Sequence, residues 1–237
     1  MKGRRQKQGD GGGPITNEGA GGEVYGTIYY IAESPHEKGT IWVGTDDGLV
    51  QLTRDGGTTW ANVTPKDLSE SLINMVEVSP HDRGTAYVAV SRHKHNDNTP
   101  LIYKTTDYGR NWTRIAAGLP AGSPVRVIRE DPNRRNLLYA GTETGLFVSF
   151  DAGGHWQSFQ QNLPAVPVTD LQVKHTDLVI ATEGRAFWIM DDVSALYEVS
   201  DSVAAAPLHL VAPRPTYRTT LGGGPTTLGV GTNPPNG

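Results

Sequence analysis

The chain has 237 residues, a formal net charge of −4 and no cysteine, which excludes a disulfide framework and a thiolate metal site. No basic stripe with interleaved aromatics is present, so nucleic acid is not an expected partner, and no apolar run approaches the roughly 18 residues that span a bilayer. With 29 glycines, 16 prolines and only 36% hydrophobic residues, the composition suits many short strands joined by tight turns, with little helix; no cofactor and no metal are expected.

Residues 1–22 read as a flexible, Gly-rich leader whose basic start lacks the apolar core of a signal peptide. Repeats begin after it. A first unit, about 23–63, holds predicted strands at 27–32, 40–44 and 49–53. A second, about 64–117, holds strands at 72–78, 85–90 and 101–105. A third, about 118–161, holds strands at 125–129, 136–141 and 146–150. Each first strand runs into a short turn motif: Ser34-Pro-His36, Ser79-Pro-His81 or Asp131-Pro-Asn133. The predicted strands are rich in Val, Ile, Tyr, Phe and Thr, while Gly, Asp and Pro gather in the connections.

Each third strand leads into one box of the form Ser/Thr-x-Asp-x-Gly-x-x-Trp: Thr53 to Trp60, Thr105 to Trp112, and Ser149 to Trp156. The tryptophans lie 52 and 44 residues apart, near the period of a four-stranded propeller blade, and a fourth strand is expected to start at each. A fourth unit, about 162–202, is degenerate. Aligning its Ala181-Thr-Glu with Gly141-Thr-Glu places Asp191 at the box aspartate, but the Gly and Trp are missing, as suits a terminal blade. Residues 203–237 read as a linker or tail toward a further domain. The fold expected is all-β: about four four-stranded antiparallel propeller blades forming an incomplete ring.

The boxes have a structural role in this reading. Asp55, Asp107 and Asp151 accept backbone N–H groups in Asx-type turns, and Gly57, Gly109 and Gly153 supply positive φ. Trp60, Trp112 and Trp156 bury flat surface while keeping an N–H to satisfy.

Three such boxes at blade spacing resemble the BNR/Asp-box propellers: sialidases, xyloglucanase-type glycoside hydrolases and sortilin-type receptors. The segments 29–36, 45–49 and 177–192 are similar to repeats of the large exported bacterial sortilin-like and glycosyl-hydrolase group. The resemblance covers roughly residues 25–218. It implies a propeller of six or more blades, so that four blades are part of a larger protein, commonly followed by a β-sandwich. It also implies an extracellular or periplasmic location for the parent. The arginine triad of sialidases does not carry over: only Arg185, with Arg126 and Arg129 on an inner strand, can be placed.

In a propeller the loops between second and third strands open on the face that carries the ligand. Asp46, Asp47, Glu143, Glu183 and Arg185 then share one rim. The carboxylates are candidates for acid, base or nucleophile on a glycosidic bond, and the arginine for clamping a carboxylate; equally, these residue types dominate ordinary polar turns. The longest insertion, 92–98, places His93, His95 and Asp97 on one side of an extended loop, a candidate specificity loop. Phe187 and Trp188 read as core or seam packing.

Two functions follow. One is a scaffold binding a glycan or an exported protein or peptide, with possible self-association to complete the propeller. The alternative is a glycoside hydrolase whose active site needs further blades.

Overall fold

The computed structural model describes residues 26–213, which fall in two compact units divided after Val193. The leader expected at 1–22 and the tail beyond residue 213 lie outside the described residues. In the first unit every sheet is an antiparallel meander laid down in chain order. Blade 1 comprises β1 (Ile28–Glu33), β2 (Ile41–Thr45), β3 (Val50–Thr53) and β4 (Ala61–Asn62). Blade 2 comprises β5 (Leu72–Val78), β6 (Ala86–Arg92), β7 (Asp97–Thr105) and β8 (Thr113–Arg114). Blade 3 comprises β9 (Val125–Glu130), β10 (Leu138–Thr142), β11 (Gly145–Ser149) and β12 (Gln157–Ser158).

Blade 4 stops at three strands, β13 (Val168–Lys174), β14 (Asp177–Thr182) and β15 (Phe187–Met190), where a fourth was expected. With Val193 and Leu196 where a box places its Gly and Trp, no box turn forms and the chain passes into a 3-10 segment, Val193–Glu198. Within the second unit a short helix, α1 (Asp201–Ala205), is capped by the Ser200 hydroxyl. The four first strands contact one another in series, as inner strands of a propeller do.

Blades pack through apolar faces with little room between them. Trp42, Val50 and Leu52 of blade 1 share a cluster with Ile73, Val76 and Val88 of blade 2. At Gly44 an added Cβ would strike the Ile73 side chain, so glycine there lets the sheets approach closely. Gly141 plays the same part between Val127 of its own blade and Val168 of blade 4.

Hydrogen bonds stitch each seam. His36 Nε2 reaches the Ser79 carbonyl at 3.0 Å and His81 Nε2 the Asp131 carbonyl at 2.8 Å; a carbonyl only accepts, so each Nε2 carries the proton. Asn133 Nδ2 donates to the His175 carbonyl at 2.7 Å. The three turn motifs read in the sequence are thus latches onto the next blade. Arg129 joins three blades, donating to Glu77 Oε2 (2.8 Å), the Leu171 carbonyl (2.6 Å) and Asp170 Oδ1 (3.0 Å). Burial pushes the Glu77 carboxyl up, and Arg129 opposes that shift.

Candidate functional site

The three boxes adopt one geometry. Asp55 Oδ1 accepts Thr59 N–H, Asp107 Oδ1 accepts Asn111 N–H, and Asp151 Oδ1 accepts His155 N–H, each at 2.9 Å. These donors lie four residues on, further than an Asx turn reaches. The Ser/Thr hydroxyl opening each box completes the turn: Thr53, Thr105 and Ser149 accept the N–H of Gly57, Gly109 and Gly153, each at 2.9 Å, and donate to the box aspartate. The glycines sit at φ of +95°, +78° and +90°.

Hydrogen bonding, led by the Thr59 hydroxyl, holds the Asp55 carboxyl at about 2. At Asp151 burial works in the opposite direction, but bonds from His155 prevail and the carboxyl again falls to about 2. These aspartates are committed to turns. Each fourth strand begins one residue after its tryptophan.

On the opposite hairpins, Asp46, Glu143 and Glu183 occupy one repeated position, their N–H groups bonded to the carbonyls of Thr27, Pro124 and Pro167. Their side chains differ. Asp46 Oδ1 accepts the N–H groups of Gly26 and Thr27, both at 2.8 Å. Asp47 is fully buried and takes the Thr45 hydroxyl. Glu143 pairs with Arg126. Glu183 and Arg185 are exposed, and the Arg185 carbonyl accepts Trp188 Nε1 at 3.0 Å. Phe187, expected in a core or seam, is 77% exposed because no blade covers β15 among the described residues.

The segment expected as an extended loop is largely a lengthened hairpin. β6 runs to Arg92, β7 starts at Asp97, and a 3-10 turn, His93–His95, joins them. His93 and His95 therefore do not alternate with Asp97 along one strand. His93 Nδ1 lies 3.3 Å from the Ser91 hydroxyl; burial and then Arg126 depress its imidazole pKa. Asp97 pairs with Arg92 across the hairpin, while the Thr99 hydroxyl is the larger influence holding its carboxyl low. Among the described residues, no group of three or more His, Asp or Glu is arranged to hold a metal.

Sequence reasoning missed a groove beside this hairpin. A cavity of about 850 Å³ on the seam of blades 1 and 2 is bounded by Lys66, Asp67, Leu68, Arg110, Asn111 and Trp112. A second, about 290 Å³, shares Asp67 and Leu68 and adds Arg92, Asp97, Tyr103 and Arg114. Tyr103 is buried but its hydroxyl donates to Asp67 Oδ2 at 3.3 Å; burial and then Asp67 push the phenol up to about 12. The Arg114 guanidinium lies 5.9 Å from the Tyr103 ring centre. Lys66, Arg110 and Arg114 form no ion pair among the described residues. The signal available in sequence was the inter-blade connection 63–71, which only the blade geometry brings beside the blade 2 hairpin.

No protein-family model matches the chain. Over 99 residues, 40% of the chain, it is 31% identical to an oligoxyloglucan-reducing end-specific xyloglucanase of Emericella nidulans. Over 194 residues, 75% of the chain, it is 24% identical to the xyloglucanase Xgh74A of Acetivibrio thermocellus. The chain spans 11% and 22% of the lengths of these two relatives. Among solved structures it is similar to the GH74 xyloglucanase of Xanthomonas campestris, with a TM-score of 0.56 and 19% identity over 71% of this chain and 29% of that one. It is also similar to YCF48 bound to D1 peptide, with a TM-score of 0.53 and 22% identity over 70% of this chain and 52% of that one. These likenesses agree with the blades in giving a β-propeller fold.

Proposed function

We propose that this run of blades is a binding scaffold, of the Asp-box type, that holds an extended polar ligand along the groove between blades 1 and 2. The ligand is a glycan or a segment of an exported protein, and the setting is extracellular or periplasmic. One contrast carries the reading. Asp46, Asp47 and Glu143 are already engaged within the fold, whereas Lys66, Arg110 and Arg114 line the groove without an ion pair among the described residues. Such cations suit hydrogen bonds to carbonyl, hydroxyl or carboxylate oxygens. The peptide named with YCF48 and the xyloglucan activity named for the two relatives supply the ligand classes to try first.

Titration calorimetry with xyloglucan oligosaccharides and with an acidic peptide tests this. A bound ligand should lose about tenfold in affinity for each of Arg110→Ala and Arg114→Ala, the usual effect of a charged hydrogen bond. Unchanged affinity in the double variant would remove the groove from the account. The relatives also favour a second reading, a glycoside hydrolase completed by further blades, with Glu143 and Glu183 as its acids in this chain. In the intact protein, Glu143→Gln and Glu183→Gln should then abolish turnover; full activity in both would remove them.

A further inference from the structure

A chain of hydrogen bonds runs between blades 2 and 3 and ends at the 3-10 turn His93–His95, and its proton order follows from its fixed end. Asn74 of β5 is buried, and its Nδ2 donates to the Val125 carbonyl of β9 at 2.7 Å. A carbonyl only accepts, so this bond fixes which way the amide points. Buried Ser91 then donates its single hydroxyl proton to Asn74 Oδ1 at 3.3 Å. The Ser91 oxygen meets His93 Nδ1, 3.3 Å away, as an acceptor, so Nδ1 carries the ring proton. In the neutral imidazole Nε2 keeps a lone pair, and it forms no hydrogen bond among the described residues.

Charged groups of both blades surround this exposed ring. After burial, Arg126 of β9 is the main influence holding its pKa down; Lys94 and His95 of its own turn act in the same sense, and Glu143 of the blade 3 hairpin opposes them. Arg126 pairs with Glu143 through Nε and Oε1, and the two side chains are 28% and 30% exposed. Among the described residues Arg126 Nη1 and Nη2 and Glu143 Oε2 form no hydrogen bond, and exposed Lys94 forms no ion pair. Two permanent cations thus face a single carboxylate. None of His93, Lys94, Arg126 and Glu143 lines the groove between blades 1 and 2.

We propose that this cluster is a binding site for a hydroxycarboxylate, whose carboxylate lies between Arg126 and His93 and draws one proton onto His93 Nε2. A planar carboxylate matches the paired N–H groups of the guanidinium. A hydroxyl beside it donates to Glu143 Oε2, while a dianion such as phosphate meets the Glu143 charge unfavourably. Because the Nδ1 proton is committed to Ser91, the ring becomes a donor to the ligand only when Nε2 takes up a proton from solvent. The anion also offsets the repulsion from Arg126 that disfavours the charged ring. Ligand and proton therefore strengthen each other's binding.

NMR titration of the full chain tests this, with the His93 ring as reporter. The probes are D-gluconate, trigalacturonate, sorbitol, acetate and a blocked neutral peptide with a free C-terminus; the first two separate a free acid from one carried on a glycan. At least one of these two should bind, and its affinity should rise about tenfold from about pH 8 to about pH 5.5. With that probe present, the His93 ring should titrate at higher pH than without it. Sorbitol should not bind, and acetate and the peptide should bind more weakly. His93→Gln should remove the pH dependence, and Arg126→Lys, which keeps the charge but not the paired N–H groups, should cost about tenfold in affinity. Arg110→Ala and Arg114→Ala should change nothing, which separates this site from the groove. If a variant fails to fold, the His93 titration in the unaltered chain decides. Failure of both sugar acids to bind would overturn the proposal. So would equal binding of sorbitol or the peptide, a pH dependence that persists in His93→Gln, or binding lost in the groove variants.

Discussion

At the scale of single residues, the box is a hydrogen-bonded turn whose aspartate is held ionised. The carboxyls of Asp55 and Asp151 sit at about 2, below the ordinary value of 3.8. A folded-state pKa below the unfolded one stabilises the fold above the unfolded pKa, and that contribution is lost as pH falls through the folded pKa. Stability should therefore decline between about pH 4 and pH 2 from these groups, and Asp151→Asn should flatten that decline in urea unfolding measured at several pH values. An unaltered pH profile in the variant would contradict the assignment. The sequence displayed the Ser/Thr, Asp, Gly and Trp of each box together. The hydroxyl's part stayed hidden because its bond to the glycine N–H depends on backbone angles that composition does not give. The tryptophans separate by position in the array. Trp156 is buried with its N–H on blade 2, so Trp156→Ala should cost about 3–5 kcal/mol by loss of packing. Trp60→Ala, at the exposed end, should cost much less, a difference that denaturant unfolding measures directly.

At the scale of strands and hairpins, register decides where small residues are required. An alanine Cβ at Gly141 would lie 2.5 Å from Val127 Cγ1 and 2.6 Å from Val168 Cγ1. Gly141→Ala should destabilise the protein by about 1–3 kcal/mol through overpacking of the seam between blades 3 and 4. A variant as stable as the parent would show that the two sheets are further apart. Most strands were legible because alternation of apolar residues and the turn chemistry between them agree. The blade 2 hairpin was not: Arg92 to Pro100 is polar and ends in proline, which reads as loop, while the hairpin is held by backbone pairing of Arg92 with Asp97 and by their ion pair. The fourth blade was legible as degenerate, but not its missing strand, since strand pairing needs a partner edge that the sequence does not display. The rim showed the same limit: residue types marked Asp46, Asp47 and Glu143 as candidates, and only their neighbours revealed that each is engaged.

At the scale of the whole array, four blades in series leave, among the described residues, a first strand bare at one end and a third strand bare at the other. Ile31 and Phe187 are exposed where their counterparts Val76 and Leu146 are buried. Bare apolar strand surface favours association. The most direct measurement is hydrogen exchange of the indole N–H groups in the unaltered chain at low concentration. Slow exchange is predicted at Trp112 and Trp156, whose N–H groups reach the Val63 and Ile115 carbonyls of the preceding blade, and fast exchange at Trp60, whose N–H stays on the Gly57 carbonyl of its own box. Equal protection of all three would mean that blade 1 is already covered, and the open-ended array described here would be wrong.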